Sequence, residues 1–192
     1  MTRIPIIPTI IVAAAIITMI ALGIWQLGRA DEKAALIARY EAASQQPALD
    51  WPQTLDADDL PLYRRSNFTC AEVLDWRSTS GRNAEGRAGW SHIATCRLGD
   101  DGEAQLQAGW SLQPETPEWA GGDVTGMIAP DGKAMIRLVA DPPVAGLEPL
   151  ATPTPADLPN NHISYAVQWF LFALIAGVIY ALALRQRLLR RT

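Results

Sequence analysis

Few side chains in this sequence are of a kind that performs chemistry. They are two histidines, His92 and His162, two cysteines, Cys70 and Cys96, and an arginine, Arg29, placed just after Trp25. An imidazole can bind a metal, move a proton or anchor a helix end. His162 stands at the mouth of Asn160–Arg191, a stretch that otherwise reads as a membrane span. At 100° per residue, Trp169, Ala173, Ala176 and Tyr180 fall within about 40° of it. One helix stripe therefore carries a histidine, a tryptophan, two alanines and a tyrosine. Small residues admit a second helix or a flat ligand. The rise from His162 to Tyr180 is roughly 27 Å, so the two sit near opposite membrane faces. Two readings of His162 stand. In one it anchors and caps the helix beside Asn160, Asn161, Ser164 and Tyr165. In the other it is a neutral imidazole offered to a haem iron or a partner at membrane depth, with any second iron ligand supplied from elsewhere.

The remaining candidates point to structure. Cys70 and Cys96 both fall on apolar faces of expected strands. They are either a disulfide, worth roughly 3.5 kcal/mol for a loop of about 27 residues in the chain-entropy picture, or two buried thiols acting as small hydrophobes. No CxxC or CxxCH occurs, which argues against a zinc ribbon, a thioredoxin-like centre and covalent c-type haem. His92 shares a strand face with Trp90 and Cys96 and reads as a satisfied core residue. Asp56, Asp58 and Asp59 lack the glycine of a calcium loop and read as a solvated turn. There is no G-x-S-x-G, P-loop, H-E-x-x-H or dinucleotide fingerprint. No constellation supports enzyme chemistry.

Two elements must position His162. No charge occurs from Ile4 to Gly28 or from Ile163 to Leu184, and each run can cross about 30 Å of hydrocarbon. The expected organisation is a transmembrane helix over 1–28, continuing as a helix to about 43. A β-rich domain over 44–140, a Pro-rich linker over 141–159, a second transmembrane helix over 160–185 and a basic tail over 186–192 follow. Trp25 and Arg29 mark the water interface. Arg3, Arg185, Arg187, Arg190 and Arg191 lie outside the spans with no acid beside them. The middle holds the other 11 basic residues and all 20 acidic ones, a net charge of −9. Basic ends belong in the cytoplasm, which puts the acidic middle across the membrane, in the periplasm of a bacterium or a mitochondrial intermembrane space. That acidity argues against nucleic acid as a partner. The alternative for the N-terminus is a signal peptide cleaved after Gly23, against which its long apolar run counts.

The middle reads as β structure. Ala88–Leu98 and Glu103–Leu112 both alternate with period two, apolar at even positions. Turned at Gly99-Asp100-Asp101-Gly102, they form a hairpin that sets Trp90 opposite Trp110 and Arg97 opposite Glu103. Tyr63–Cys70 and Glu72–Ser78 are expected strands. Val124–Ile128 and Lys133–Ala140 make a second hairpin about Ala-Pro-Asp-Gly, with Pro130 at the first corner of the turn. Gln113–Gly122 reads as a loop. With six prolines in 19 residues, 141–159 must be irregular. The fold class is thus an integral membrane protein, with two transmembrane α-helices flanking an antiparallel, β-rich domain of about six strands, a sheet or open barrel.

Four stretches resemble one family. Leu22-Gly23-Ile24-Trp25-Gln26-Leu27-Gly28-Arg29 with Lys33 is similar to the end of the first span in the Surfeit locus protein 1 family. Pro61-Leu62-Tyr63-Arg64-Arg65 resembles its entry to the soluble domain, and Gly109-Trp110 its Arg-Gly-Trp strand. Asn161-His162-Ile163-Ser164-Tyr165-Ala166-Val167-Gln168-Trp169-Phe170 resembles the opening of its second span. Here Ala108 replaces the family's arginine, and Cys70 stands where the family tends to have glycine. The resemblance implies a non-enzymatic assembly factor for cytochrome c oxidase in the bacterial inner membrane. It implies transient contact with haem a through His162 and Trp169, with Trp25 and Arg29 reaching the same zone and Arg29 pairing a haem propionate or serving as an interfacial anchor. Implied partners are oxidase subunit I, haem a synthase and membrane lipid. The rival reading is a scaffold that holds nascent oxidase subunits without touching haem, with 141–159 as a docking arm.

Overall fold

The computed structural model describes residues 5–99 and 102–189. Arg3, Arg190 and Arg191 of the basic ends, and Asp100 and Asp101 of the first hairpin turn, lie outside the described residues. The chain forms two compact units. One joins the described residues up to Leu36 with those from Pro159 onward, and the other is Ile37–Leu158.

The first unit is an antiparallel helix pair. Helix α1 runs Ile6–Ser44, its last part belonging to the second unit, and α2 runs His162–Leu189. Both are long and apolar enough to cross a membrane, and most of their large side chains are exposed. This is the composition of helices solvated by lipid rather than by a protein core. Small residues mark the seam: Gly23, Ala30, Ala166 and Ala173 are buried. A Cβ on Gly23 would come within 2.6 Å of the Phe170 ring. Ile16 packs near Gly177, and Thr9 Oγ1 shares a hydrogen bond with the Tyr180 hydroxyl at 2.5 Å.

The second unit is a seven-stranded sheet. Its strands are β1 (Leu49–Asp50), β2 (Arg65–Cys70), β3 (Glu72–Arg82), β4 (Ala88–Leu98), β5 (Gly102–Ser111), β6 (Gly122–Asp131) and β7 (Met135–Ala140), in the order β1-β2-β6-β7-β5-β4-β3. It is mixed rather than wholly antiparallel: β1 pairs with β2 and β5 with β7 in parallel. Alternation puts Phe68, Cys70, Ala94, Cys96, Leu106 and Leu138 on one inner face, a common apolar core. β2 and β4 are not neighbours in the ladder, yet a disulfide joins Cys70 to Cys96 with Cα atoms 5.1 Å apart. The Ala71 N–H donates to the Arg97 carbonyl at 3.0 Å. The sheet therefore curls until its two ends meet, and the open barrel is stapled at the closure.

Two details of the expected hairpins are corrected. From Leu98–Gly102 to Ile93–Gln107 the register is the expected one, and Arg97 does face Glu103. A bulge then intervenes: Ala108 is skipped, His92 pairs with Gly109, Ser91 with Trp110 and Trp90 with Ser111. The extra residue turns Trp110 to the opposite face from Trp90. Trp110 is fully buried with Ala129, Val139 and Leu150, whereas Trp90 is 36% exposed. The second correction concerns Pro130, which is not a turn corner. It pairs with Ile136 inside the ladder, and the reversal falls between Asp131 and Met135. The cause is Asp131, whose Oδ1 accepts from the Lys133 and Ala134 N–H groups at 2.8 and 3.0 Å, an aspartate turn that outcompetes the proline corner.

Segment 141–159 is no free linker. Glu148 and Trp110 exchange backbone hydrogen bonds of 2.9 and 2.8 Å, and Val144 N–H donates to the Ala108 carbonyl at 3.0 Å. Gly109 permits this approach, since a Cβ there would lie 2.5 Å from that of Leu147. Arg87 lies 4.7 Å over the Trp110 ring and pairs with Glu148 at 2.7 Å. Asn83 Nδ2 donates to the same carboxylate at 3.0 Å.

Candidate functional site

The helix pair brings two polar side chains together where α2 begins. His162 Nδ1 and Gln26 Oε1 are 2.8 Å apart. An amide oxygen only accepts, so Nδ1 is the nitrogen that donates in this bond. Among the described residues no group bonds to Nε2. Asn160 Nδ2 donates to the Ala30 carbonyl at 3.5 Å, while Asn160 Oδ1 is buried without a partner. Gln26 thus fixes the orientation of the imidazole ring.

The other sequence-derived candidates take separate places. Trp169 stacks edge-on with Phe172 of its own helix, ring centroids 6.3 Å apart. Trp25 is 56% exposed, and Arg29 pairs with Glu32 on its own helix. On a 100° wheel Trp25 lies about 160° from the buried Gly23. The expected cleft of Trp25, Arg29, His162 and Trp169 is therefore not the group that meets. Gln26 reaches His162 instead, because it follows the Gly23–Ala30 seam. Gln26 falls within the family-like stretch Leu22–Arg29, and three residues on from Gly23 it shares the contact face. An amide among apolar residues was the available signal.

Below this pair an apolar groove of about 510 Å³ follows the helices, lined by Ile16 and Ile20 on α1 and Phe170, Ala173, Gly177 and Ala181 on α2. Its end at Phe170 lies eight residues from His162 on α2, about 12 Å along the helix. The imidazole and the groove are thus two separate features of the helix pair, and neither His162 nor Gln26 lines the groove.

In the second unit His92 is fully buried, and both ring nitrogens are engaged, Nδ1 with Ser78 Oγ at 3.0 Å and Nε2 with Ser111 Oγ at 2.8 Å. The core reading of His92 holds. The disulfide sulfurs are sealed in the core, with Cys70 and Cys96 at most 1% exposed. No group of three or more His, Cys, Asp or Glu is placed to hold a metal among the described residues.

The model of the SURF1 family matches residues 13–174, most of the chain. No curated protein matches the chain significantly.

Proposed function

Because this chain belongs to the SURF1 family, which is associated with cytochrome c oxidase assembly, we propose that it hands haem a to the nascent catalytic subunit. The observation that carries this reading is the His162–Gln26 pair. Gln26 accepts from Nδ1–H, so Nε2 is the nitrogen that would hold a haem iron. Haem supplies an iron that accepts such a nitrogen. The apolar groove beside Phe170 offers dry surface to an amphiphile whose polar end lies at His162. One histidine with no second protein ligand beside it among the described residues suits a carrier, because transfer requires release. Trp169 is a wall of the same stripe, and Arg29, tied to Glu32, serves as an interfacial anchor. The protein is a carrier rather than an enzyme. It lies in the bacterial inner membrane with both termini cytoplasmic and the acidic domain in the periplasm. Its partners are oxidase subunit I and haem a synthase.

The test is purification from cells making haem a, with absorption spectra and pigment extraction. The expected result is a haem spectrum in wild type, its loss in His162→Ala and a shifted, weakened spectrum in Gln26→Leu. A wild-type protein without haem, or an unchanged spectrum in His162→Ala, removes the carrier. The scaffold reading draws support from exposed apolar side chains on the β unit, Leu74, Trp90 and Leu112. It wins if His162→Ala leaves oxidase haem content intact while Trp90→Ser with Leu112→Ser abolishes it.

A further inference from the structure

His92 sits among more acceptors than a neutral imidazole can serve. Ser78 Oγ–H donates to the Pro114 carbonyl at 3.0 Å, and Ser111 Oγ–H donates to the Gln113 carbonyl at 2.5 Å. Each hydroxyl has one proton, and both are committed. Each serine oxygen can then only accept from the ring, at 3.0 Å from Nδ1 and 2.8 Å from Nε2. All four hydrogen bonds coexist only when both ring nitrogens carry protons. A neutral ring has one lone pair. The serine facing it must turn its proton inward and release its carbonyl, either that of Gln113 or that of Pro114.

Both carbonyls belong to the connection between β5 and β6, residues 112–121, which holds no strand or helix. We infer that His92 is a pH-operated latch, whose protonation ties this connection to the barrel at two successive carbonyls and whose deprotonation lets one of them go. Loop docking and proton uptake are then reciprocal. From β3 the facing group is the Ser78 hydroxyl and from β5 the Ser111 hydroxyl, neither of which titrates in this range. From the loop, the Glu115 carboxylate is the charge that acts on the ring. Burial pushes the His92 pKa below its ordinary value, against the opposing pull of the Gln113 carbonyl and Glu115. The latch therefore stands released at neutral pH and closes as the medium acidifies. Trp119, in the same connection, packs edge-on against Trp76 of β3 with ring centroids 6.5 Å apart, so its tryptophan reports the closed position.

The experiment uses the full chain in lipid nanodiscs. Imidazole nitrogen shifts of His92 are followed from pH 7.5 to 4.5, alongside amide exchange of residues 113–121 corrected for intrinsic rates. The expected result is a His92 titration below pH 6.5, accompanied by about a tenfold rise in protection of the loop amides. In His92→Gln, which keeps one donor and one acceptor at every pH, that rise is absent. If His92→Gln does not fold, Ser78→Ala serves instead. It removes the Pro114 tie in both states and should at least halve the pH response. A ring that stays neutral to pH 4.5, loop protection flat across the His92 titration, or an undiminished rise in either variant overturns the latch.

Discussion

At the scale of single residues, hydrogen-bond arithmetic decides what the polar groups do. Gln26 accepts and so fixes the orientation of the His162 ring, while Ser78 and Ser111 donate elsewhere and so demand protons of His92. Asp131 is the counterpart among the acids, with its side chain 2% exposed. Burial raises its pKa, but the Lys133 and Ala134 amides and the Arg77 and Arg137 guanidiniums outweigh this and bring it from 3.8 to about 2. The folded-state value is depressed, so the stabilisation is complete above about pH 4 and is lost as pH falls toward 2. Asp131→Asn should cost about 2 kcal/mol at neutral pH and flatten the stability profile in that acid window. Chemical unfolding of wild type and variant at several pH values, followed by tryptophan fluorescence, checks both. Residue identity alone disclosed little of this. His92 was legible as a core residue from its place in an alternating strand, but its serine partners come from two other strands. Helix spacing puts Gln26 on the face of Gly23 but does not say what that face meets, so its partner His162 was not legible.

At the scale of elements, periodicity found what local rules govern and missed what side chains override. Alternation at period two located β4 and β5 and gave their register as far as Ile93. The bulge at Ala108 lay beyond it, because its cause is the later segment around Glu148, which needs the Trp110 backbone and the space beside Gly109. The Pro130 corner failed for a similar reason, as the Asp131 carboxylate captured two amides and moved the turn. Parallel pairing of β5 with β7 leaves no local trace in sequence, since it joins strands with the 112–121 loop and β6 between them. The cysteines were placed on apolar strand faces, and the curl of the sheet decided between disulfide and thiols. The bond closes strands that the ladder leaves apart, over a sequence separation of 26. Replacing both cysteines by alanine should cost about 3.5 kcal/mol in the chain-entropy picture. Unfolding midpoints with unchanged denaturant slopes would measure it, and alkylation of the unfolded protein only after reduction would show the bond itself.

At the scale of the whole molecule, charge distribution carries the argument. Two apolar helices enclose a middle segment with net charge −9, from 11 basic and 20 acidic residues, while Arg185 and Arg187 follow the second span. Under the proposed topology, alkaline phosphatase inserted within the β unit should be active and a fluorescent protein at the C-terminus should glow, because each reporter works on one side only. Phosphatase activity at the C-terminus would reverse the orientation. The two-span layout was legible from the uncharged runs alone, since length and composition suffice for a span.

The seam between the helices has a spacing with a further consequence. Thr9, Ile16 and Gly23 meet α2 and Ala30 meets Asn160 just before it, and the four recur every seven residues. A heptad falls short of two full helical turns, and the drift is about 20° each time. Over three heptads the line of contact migrates by about 60° around α1, so the spans wind about each other as a left-handed supercoil. The groove lined by Ile16, Ile20, Phe170, Ala173, Gly177 and Ala181 accordingly follows a shallow spiral rather than a straight channel.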